Sequence, residues 1–350
     1  LSEMYLDTSG NEQKYTDVAI RSSGTSEDMP DASFAGQQDT YLNVRGSLQV
    51  LDKIKSCFAS LFNDRAISYR KSMNYDTKKV KLSVCVQKMI RTDLGASGVA
   101  FSLDTESGFR DSILINGSYG LGEMVVQGFV SPDEFLVFKP TLNHGYSSII
   151  EKKMGVKDRK MVYADDPGKL TKIINVEDHQ QNQFCVSDKE VIQIAKWVNL
   201  IESYYSDRKQ GWCPMDVEWG IDGLTNQLYI LQARPETIHS QKEQHKLVEY
   251  KLDTECKNEK IITGIAVGDG VGVGEVNIMF SIDGRDGSAD GNNFQEGSVL
   301  VTEMTDPDWE PIMKKASAII TNKGGRTCHA AIVAREMGVP AIVGTGNATK

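Results

Sequence analysis

Residues 321–340 read Thr321-Asn-Lys-Gly-Gly-Arg-Thr-Cys-His-Ala-Ala-Ile-Val-Ala-Arg-Glu-Met-Gly-Val-Pro340. Hydrophobic spacing predicts a short strand over 316–321, a glycine loop over 323–328 and an amphipathic helix over 329–337, with Ala330, Val333, Ala334 and Met337 on its apolar side. Gly338 and Pro340 stop that helix, and 341–343 returns as another strand. His329 therefore stands where a loop feeds the first turn of a helix packed on a sheet. Free N–H groups and the positive end of the helix dipole favour an anion there, and Lys323 and Arg326 add two cations nearby. A neutral imidazole in that seat can attack phosphorus, and the phosphohistidine would be held by the same donors. The pattern alone also fits a histidine that caps or packs.

Working outward, 215–220 (Met-Asp-Val-Glu-Trp-Gly) and 228–234 (Leu-Tyr-Ile-Leu-Gln-Ala-Arg) read as two strands joined by the turn-rich 221–227. Pairing symmetric about Thr225 sets Glu218 opposite Gln232 and Asp216 opposite Arg234, all on one face because side chains alternate. A carboxylate and an amide oxygen suit Mg²⁺, which keeps waters and takes one or two protein ligands plus substrate phosphates. Arg234 would then hold a terminal phosphoryl group. The alternative is an exposed polar face with a surface Asp216–Arg234 pair of little worth. Earlier in the chain, 18–23 is a strand running into a hydroxyl- and glycine-rich loop, 24–36, that could wrap phosphates with Arg21 as a planar fork. A structural turn has the same composition.

The rest reads as scaffold. Leu48, Leu51, Ile54, Phe58, Leu61 and Phe62 fit one face of a helix over 47–71, and strands are expected over 82–90, 98–103, 112–115, 134–138 and 148–152. A helix over 188–205 carries Val191, Ile194, Ala195, Val198 and Ile201 as a buried stripe. No G-x-x-x-x-G-K-[ST] occurs, and the glycines of 268–274 lead into a strand over 275–280, where a dinucleotide fingerprint needs a helix. Residues 236–260 are charged, glutamine-rich and weakly apolar and read as a linker, with His239 and His245 solvated within it. The expected organisation is α/β (α+β): one unit over 1–235 and a second over 261–350 that presents His329.

The 350 residues are 40% hydrophobic and 25% charged, ordinary globular composition with room for two or three cores. A net charge of −9 argues against nucleic acid or an anionic membrane as partner, so any phosphate chemistry must use local cations. Six scattered cysteines form no C-x-x-C pair and read as reduced thiols of a cytoplasmic protein. Cys328 alone lies in the active loop, where a small semi-buried residue is the expected reading. No apolar run reaches membrane-spanning length and no signal peptide opens the chain.

The run Gly324-Gly-Arg-Thr-Cys-His-Ala-Ala331 resembles the phosphohistidine signature of the PEP-utilising enzyme family. Arg21-Ser-Ser, Glu27-Asp28, Pro30-Asp-Ala-Ser-Phe-Ala-Gly-Gln-Gln-Asp-Thr40, Asp216-x-Glu-Trp219 and Leu228-Tyr-Ile-Leu-Gln-Ala-Arg-Pro235 are similar to its ATP-grasp domain, in family order. The resemblance covers nearly the whole chain. It implies an ATP-grasp domain followed by a swivelling phosphohistidine β/β/α domain, in a chain that lacks a further N-terminal lobe and a C-terminal TIM barrel. It assigns Arg21 and Arg234 to the nucleotide phosphates, Gln87 and Met89 to the adenine edge, Glu123 to the segment closing over the nucleotide, and Glu218 and Gln232 to magnesium. The implied reaction makes phosphoenolpyruvate, AMP and phosphate from ATP, pyruvate and water through phosphorylated His329. Thr327 matches the family's regulatory phosphorylation site, which implies a kinase/phosphatase partner. Rifampicin phosphotransferase, pyruvate phosphate dikinase and a catalytically silent carrier module are the competing assignments.

Overall fold

Alternating β-branched and apolar residues divide the chain into strands from its first described segment onward. The computed structural model describes residues 16–25, 39–72, 80–142, 144, 146, 148–164, 169–236, 250, 260–268, 270–282 and 294–350. Most of the expected linker, with His239 and His245, and most of the loop 24–36 lie outside these residues.

Strands β1 (Val18–Gly24), β2 (Tyr41–Val44) and β3 (Leu82–Lys88) form a three-stranded sheet ordered β2-β1-β3. Val18, Ile20, Val44, Val50 and Cys57 make its small core beneath the helix Ser47–Ala59. The expected helix over 47–71 is interrupted: a 3-10 turn, Ser60–Phe62, precedes a second helix, Asp64–Ser72. Its expected apolar face is also corrected, because Val50 and Cys57 are buried while Leu48, Leu51, Phe58 and Phe62 are exposed. Of the expected face, Ile54 packs on this core beside Val50 and Cys57.

β4 (Ala96–Phe101), β5 (Ser112–Tyr119), β6 (Asp133–Phe138), β7 (Ile149–Lys153), the hairpin β8 (Arg159–Tyr163) with β9 (Thr171–Asn175), β10 (Met215–Ile221) and β11 (Leu228–Pro235) follow. Six of these make an antiparallel sheet, β11-β10-β4-β5-β6-β7. β8 and β9 pair apart from it, and β9 exposes most of its residues, so it carries no apolar alternation in the sequence. One face of the large sheet is covered by the helix Asp188–Lys209, whose Val191, Ile194, Ala195 and Val198 pack on Phe135, Val217 and Trp219. Ser187 caps that helix reciprocally with Glu190, satisfying two end N–H groups.

The last sheet contains β12 (Ile265–Val267), β13 (Val276–Ile278), β14 (Val299–Thr302), β15 (Ala318–Thr321) and β16 (Ala341–Val343) in the order β12-β16-β15-β14-β13. It is parallel except for β12. The helix His329–Met337 buries Ala330, Ala331, Val333 and Ala334 against it and ends at Gly338, which takes the left-handed conformation.

Candidate functional site

The β10–β11 hairpin supplies one wall of a cleft. Met215, Val217 and Trp219 point into the core, so Asp216 and Glu218 emerge on the opposite face. Asp216 lies opposite Arg234 and Glu218 opposite Gln232, the register expected from symmetry about Thr225. Beyond Glu218 a bulge shifts the pairing, so that Trp219 faces Ile230 and Leu231 is the extra residue. Arg234 donates from Nε to Asp216 Oδ2 at 2.8 Å, and burial pushes the Asp216 carboxyl up while Arg234 pulls it down.

Arg21 crosses from β1 to this hairpin. Its Nη2 donates to Glu218 Oε2 at 2.6 Å and also to Gln232 Oε1, and Nη1 reaches Gln87 Oε1 at 3.4 Å. Gln87 in turn donates from Nε2 to the Leu231 carbonyl at 2.9 Å. A cationic nitrogen thus occupies the point between the two oxygens, the donor set of a hard cation site. Among the described residues no cluster of three or more His, Cys, Asp or Glu is arranged for a metal. A site here would rest on Glu218, Gln232 and phosphate oxygens. Glu123 borders the same space; burial raises its carboxyl, and Gln127 donates to it at 2.6 Å.

The cleft measures about 610 Å³. Arg21, Gln87, Met89, Glu123, Glu218, Gln232 and Arg234 line it, and so does His329 from the last sheet's helix. His329 is the first residue of that helix, which has no side-chain cap. It is only 9% exposed, and burial lowers its pKa to about 4, so the ring is neutral at pH 7. Nδ1 shares a hydrogen bond of 3.1 Å with Thr305 Oγ1, whereas buried Nε2 has no partner among the described residues.

Thr327 does not reach the cleft: its buried Oγ1 accepts from Asn116 Nδ2 at 2.9 Å. Lys323 and Arg326 depart from the expected anion seat as well. Lys323 pairs with Glu303 at 3.2 Å, and Arg326 faces Asp104 at 3.5 Å and Glu134 at 3.7 Å. Further down the helix, Arg335 donates to Glu106 Oε1, while Oε2 accepts from the Gly268 amide at 3.0 Å. Surfaces from the large sheet and the last sheet meet so closely that a Cβ at Gly128 would stand 2.8 Å from the Cys328 Cβ. Burial raises the Cys328 thiol, as befits a packing residue.

Residues 1–255 match the family model for the pyruvate phosphate dikinase AMP/ATP-binding domain. The chain belongs to that family. Residues 294–350 further match the family model for the PEP-utilising enzyme mobile domain. It is 57% identical to the phosphoenolpyruvate synthase of Aquifex aeolicus (strain VF5) over 95% of this chain and 39% of that protein. With the phosphoenolpyruvate synthase of Escherichia coli (strain K12) it shares 50% identity over 100% of this chain and 42% of that protein. The probable phosphoenolpyruvate synthase of Pyrococcus horikoshii is 42% identical over 95% of this chain and 38% of that protein. The chain thus spans about two fifths of the length of the curated relatives it matches. No helix among the described residues is long and apolar enough to cross a membrane.

Three contributors to this arrangement carried no signal in the sequence. Thr305, Asn116 and Glu106 matter through partners 24, 211 and 229 residues away. Asp306 and Asp308, next to Thr305 in the chain, also line the cleft.

Proposed function

We propose that this chain is the ATP-binding and phosphohistidine portion of a phosphotransferase that makes phosphoenolpyruvate, AMP and phosphate from ATP, pyruvate and water. The observation that carries this reading is the shared cleft: neutral His329 opens on the same space as Arg21, Glu218, Gln232 and Arg234. Arg21 and Arg234 hold the nucleotide phosphates, Gln87 and Met89 border the base, and Glu123 closes over it. Glu218 and Gln232 would hold magnesium; their oxygens already accept a cation's hydrogen bonds from Arg21, which supports the fit. When bound, that ion neutralises triphosphate charge.

His329 Nε2 forms a bond to the β-phosphorus as the bond from that phosphorus to the α,β-bridging oxygen breaks, its electron pair leaving on AMP. The terminal phosphate then goes to water and the remaining phosphoryl group to pyruvate enolate. That second transfer requires the His329 unit to leave the cleft, so we assign residues 261–350 as a swivelling domain, 236–260 as its linker and 1–235 as the ATP-grasp domain. Thr327, buried in the seam, is accessible to a regulatory kinase only in the swung-out state, and a phosphate there would bar return.

The test is transfer of label from ATP labelled at the β-phosphate, with Mg²⁺, beside His329→Ala. Acid-labile label that disappears in the variant is expected; label that persists in it would refute the assignment of His329.

A further inference from the structure

Transfer of the terminal phosphate to water calls for a group that orients the water and takes its proton. The arginines of the cleft cannot accept a proton, so the task falls to a carboxylate. Five carboxylate residues line the cleft: Asp39, Glu123, Glu218, Asp306 and Asp308.

Four of the five are engaged. Glu218 Oε2 accepts from Arg21 at 2.6 Å and Glu123 Oε1 from Gln127 at 2.6 Å. Asp39 Oδ2 accepts from the Tyr41 hydroxyl at 3.3 Å and from Asn63 Nδ2 at 3.4 Å. Asp306 Oδ1 accepts from the Asp308 amide at 2.9 Å, which ties that carboxylate to its own turn. Asp308 is exposed, and its carboxylate has no partner among the described residues.

The place of Asp308 in the fold adds a second argument. It lies in the 3-10 turn Pro307–Trp309, and Trp309 is buried in one core with Ala330 and Val333 of the His329 helix. The turn and the start of that helix are thus parts of one packed unit, and Asp308 and His329 border the same space. Nε2 of His329 is buried without a partner among the described residues, which marks where the cleft receives a phosphoryl group. Glu123 and Glu218, by contrast, come from the large sheet and its connections. A base carried by the His329 unit meets the terminal phosphate only when His329 is seated in the cleft, so hydrolysis is tied to capture of the phosphoryl groups.

We propose that Asp308 is the catalytic base of the hydrolytic step, orienting a water against the terminal phosphorus of the pyrophosphoryl group on His329. This inference rests on the phosphohistidine reading. As the water oxygen bonds to the terminal phosphorus, one water proton passes to an Asp308 carboxylate oxygen. The bond from that phosphorus to the bridging oxygen breaks, and its electron pair stays on the phosphoryl group that Nε2 keeps. Phosphate leaves with the second water proton, and Asp308 returns its proton to solvent.

The test incubates the 350-residue chain with Mg-ATP labelled at the β- or at the γ-phosphate and compares label held on the protein with label freed as phosphate. The wild type is expected to hold β-label and to free γ-label. Asp308→Asn keeps the shape of the side chain but cannot serve as the base. It should free phosphate at least about a hundredfold more slowly, while β-label uptake falls by no more than about threefold. The variant should therefore hold γ- and β-label in nearly equal amounts, both acid-labile. Asp308→Glu, which retains a carboxylate, should recover part of the release. An Asp308→Asn chain that takes up β-label and frees phosphate as fast as the wild type overturns the assignment. So does one that takes up neither label, since Asp308 would then act in seating His329. A wild type that takes up no β-label refutes the phosphohistidine reading, and this assignment falls with it.

Discussion

Asn116 in β5 and Thr327 in the loop before His329 share a hydrogen bond of 2.9 Å across 211 residues. Both are buried, so the bond closes the seam that brings His329 to the cleft. A carboxylate on residue 327 would meet Asp104 and Glu134 across the same seam, both already facing Arg326. Thr327→Asp is expected to lower β-label transfer at least a hundredfold while Mg-ATP still raises the thermal midpoint. Equal loss of both would show that the substitution damages the fold rather than the seam.

Arg21 and the Glu218–Gln232 pair present a competition. With its Nη2 between the two oxygens, Arg21 opposes any cation that arrives without phosphates to draw the guanidinium away. Arg21→Met should therefore bind Mn²⁺ alone roughly tenfold more tightly than the wild type, yet bind Mg-ATP more weakly. Titration calorimetry measures both. A variant whose affinity for Mn²⁺ alone is unchanged would rule the competition out.

His329 makes stability depend on pH. Its pKa falls from 6.5 unfolded to about 4 folded, because burial disfavours the charged ring. Between those values the unfolded chain binds more protons, so this contribution is fully present above about pH 6.5 and is lost as pH drops towards 4. The full span is on the order of 3 kcal/mol. The urea midpoint of the wild type should fall relative to that of His329→Gln as pH drops from 7 to 4.5. Parallel curves over that range would contradict the shift.

Glu106 anchors the far end of the His329 helix through Arg335 and also receives the Gly268 amide. Glu106→Arg sets two guanidinium groups against each other, and transfer of label should fall at least tenfold. Pairing it with Arg335→Glu should recover a substantial part, since the swap restores opposite charges. A double variant no better than the single one would mean that the pair contributes by shape and not by charge.

How much of this was written in the chain depends on range. Local alternation was enough to pair Asp216 with Arg234 and Glu218 with Gln232, because a hairpin's register follows from its own turn. The helix start at His329 and its stop at Gly338 were equally local. The amphipathic pattern misled over 47–71, where exposed Leu48 and Phe62 show that periodicity names an apolar face without saying that anything covers it among the described residues.

What the sequence determined by itself, therefore, is the set of elements and the residue types that suit phosphate chemistry, all set by spacings of a few residues. The tertiary structure alone decided which of them meet. It placed Arg21 between Glu218 and Gln232, turned Lys323 and Arg326 away from the expected anion seat, and put Thr305 behind His329. Those encounters span tens to hundreds of residues, and they follow from how whole sheets pack, because a side chain's partner across a seam leaves no periodic trace in either segment.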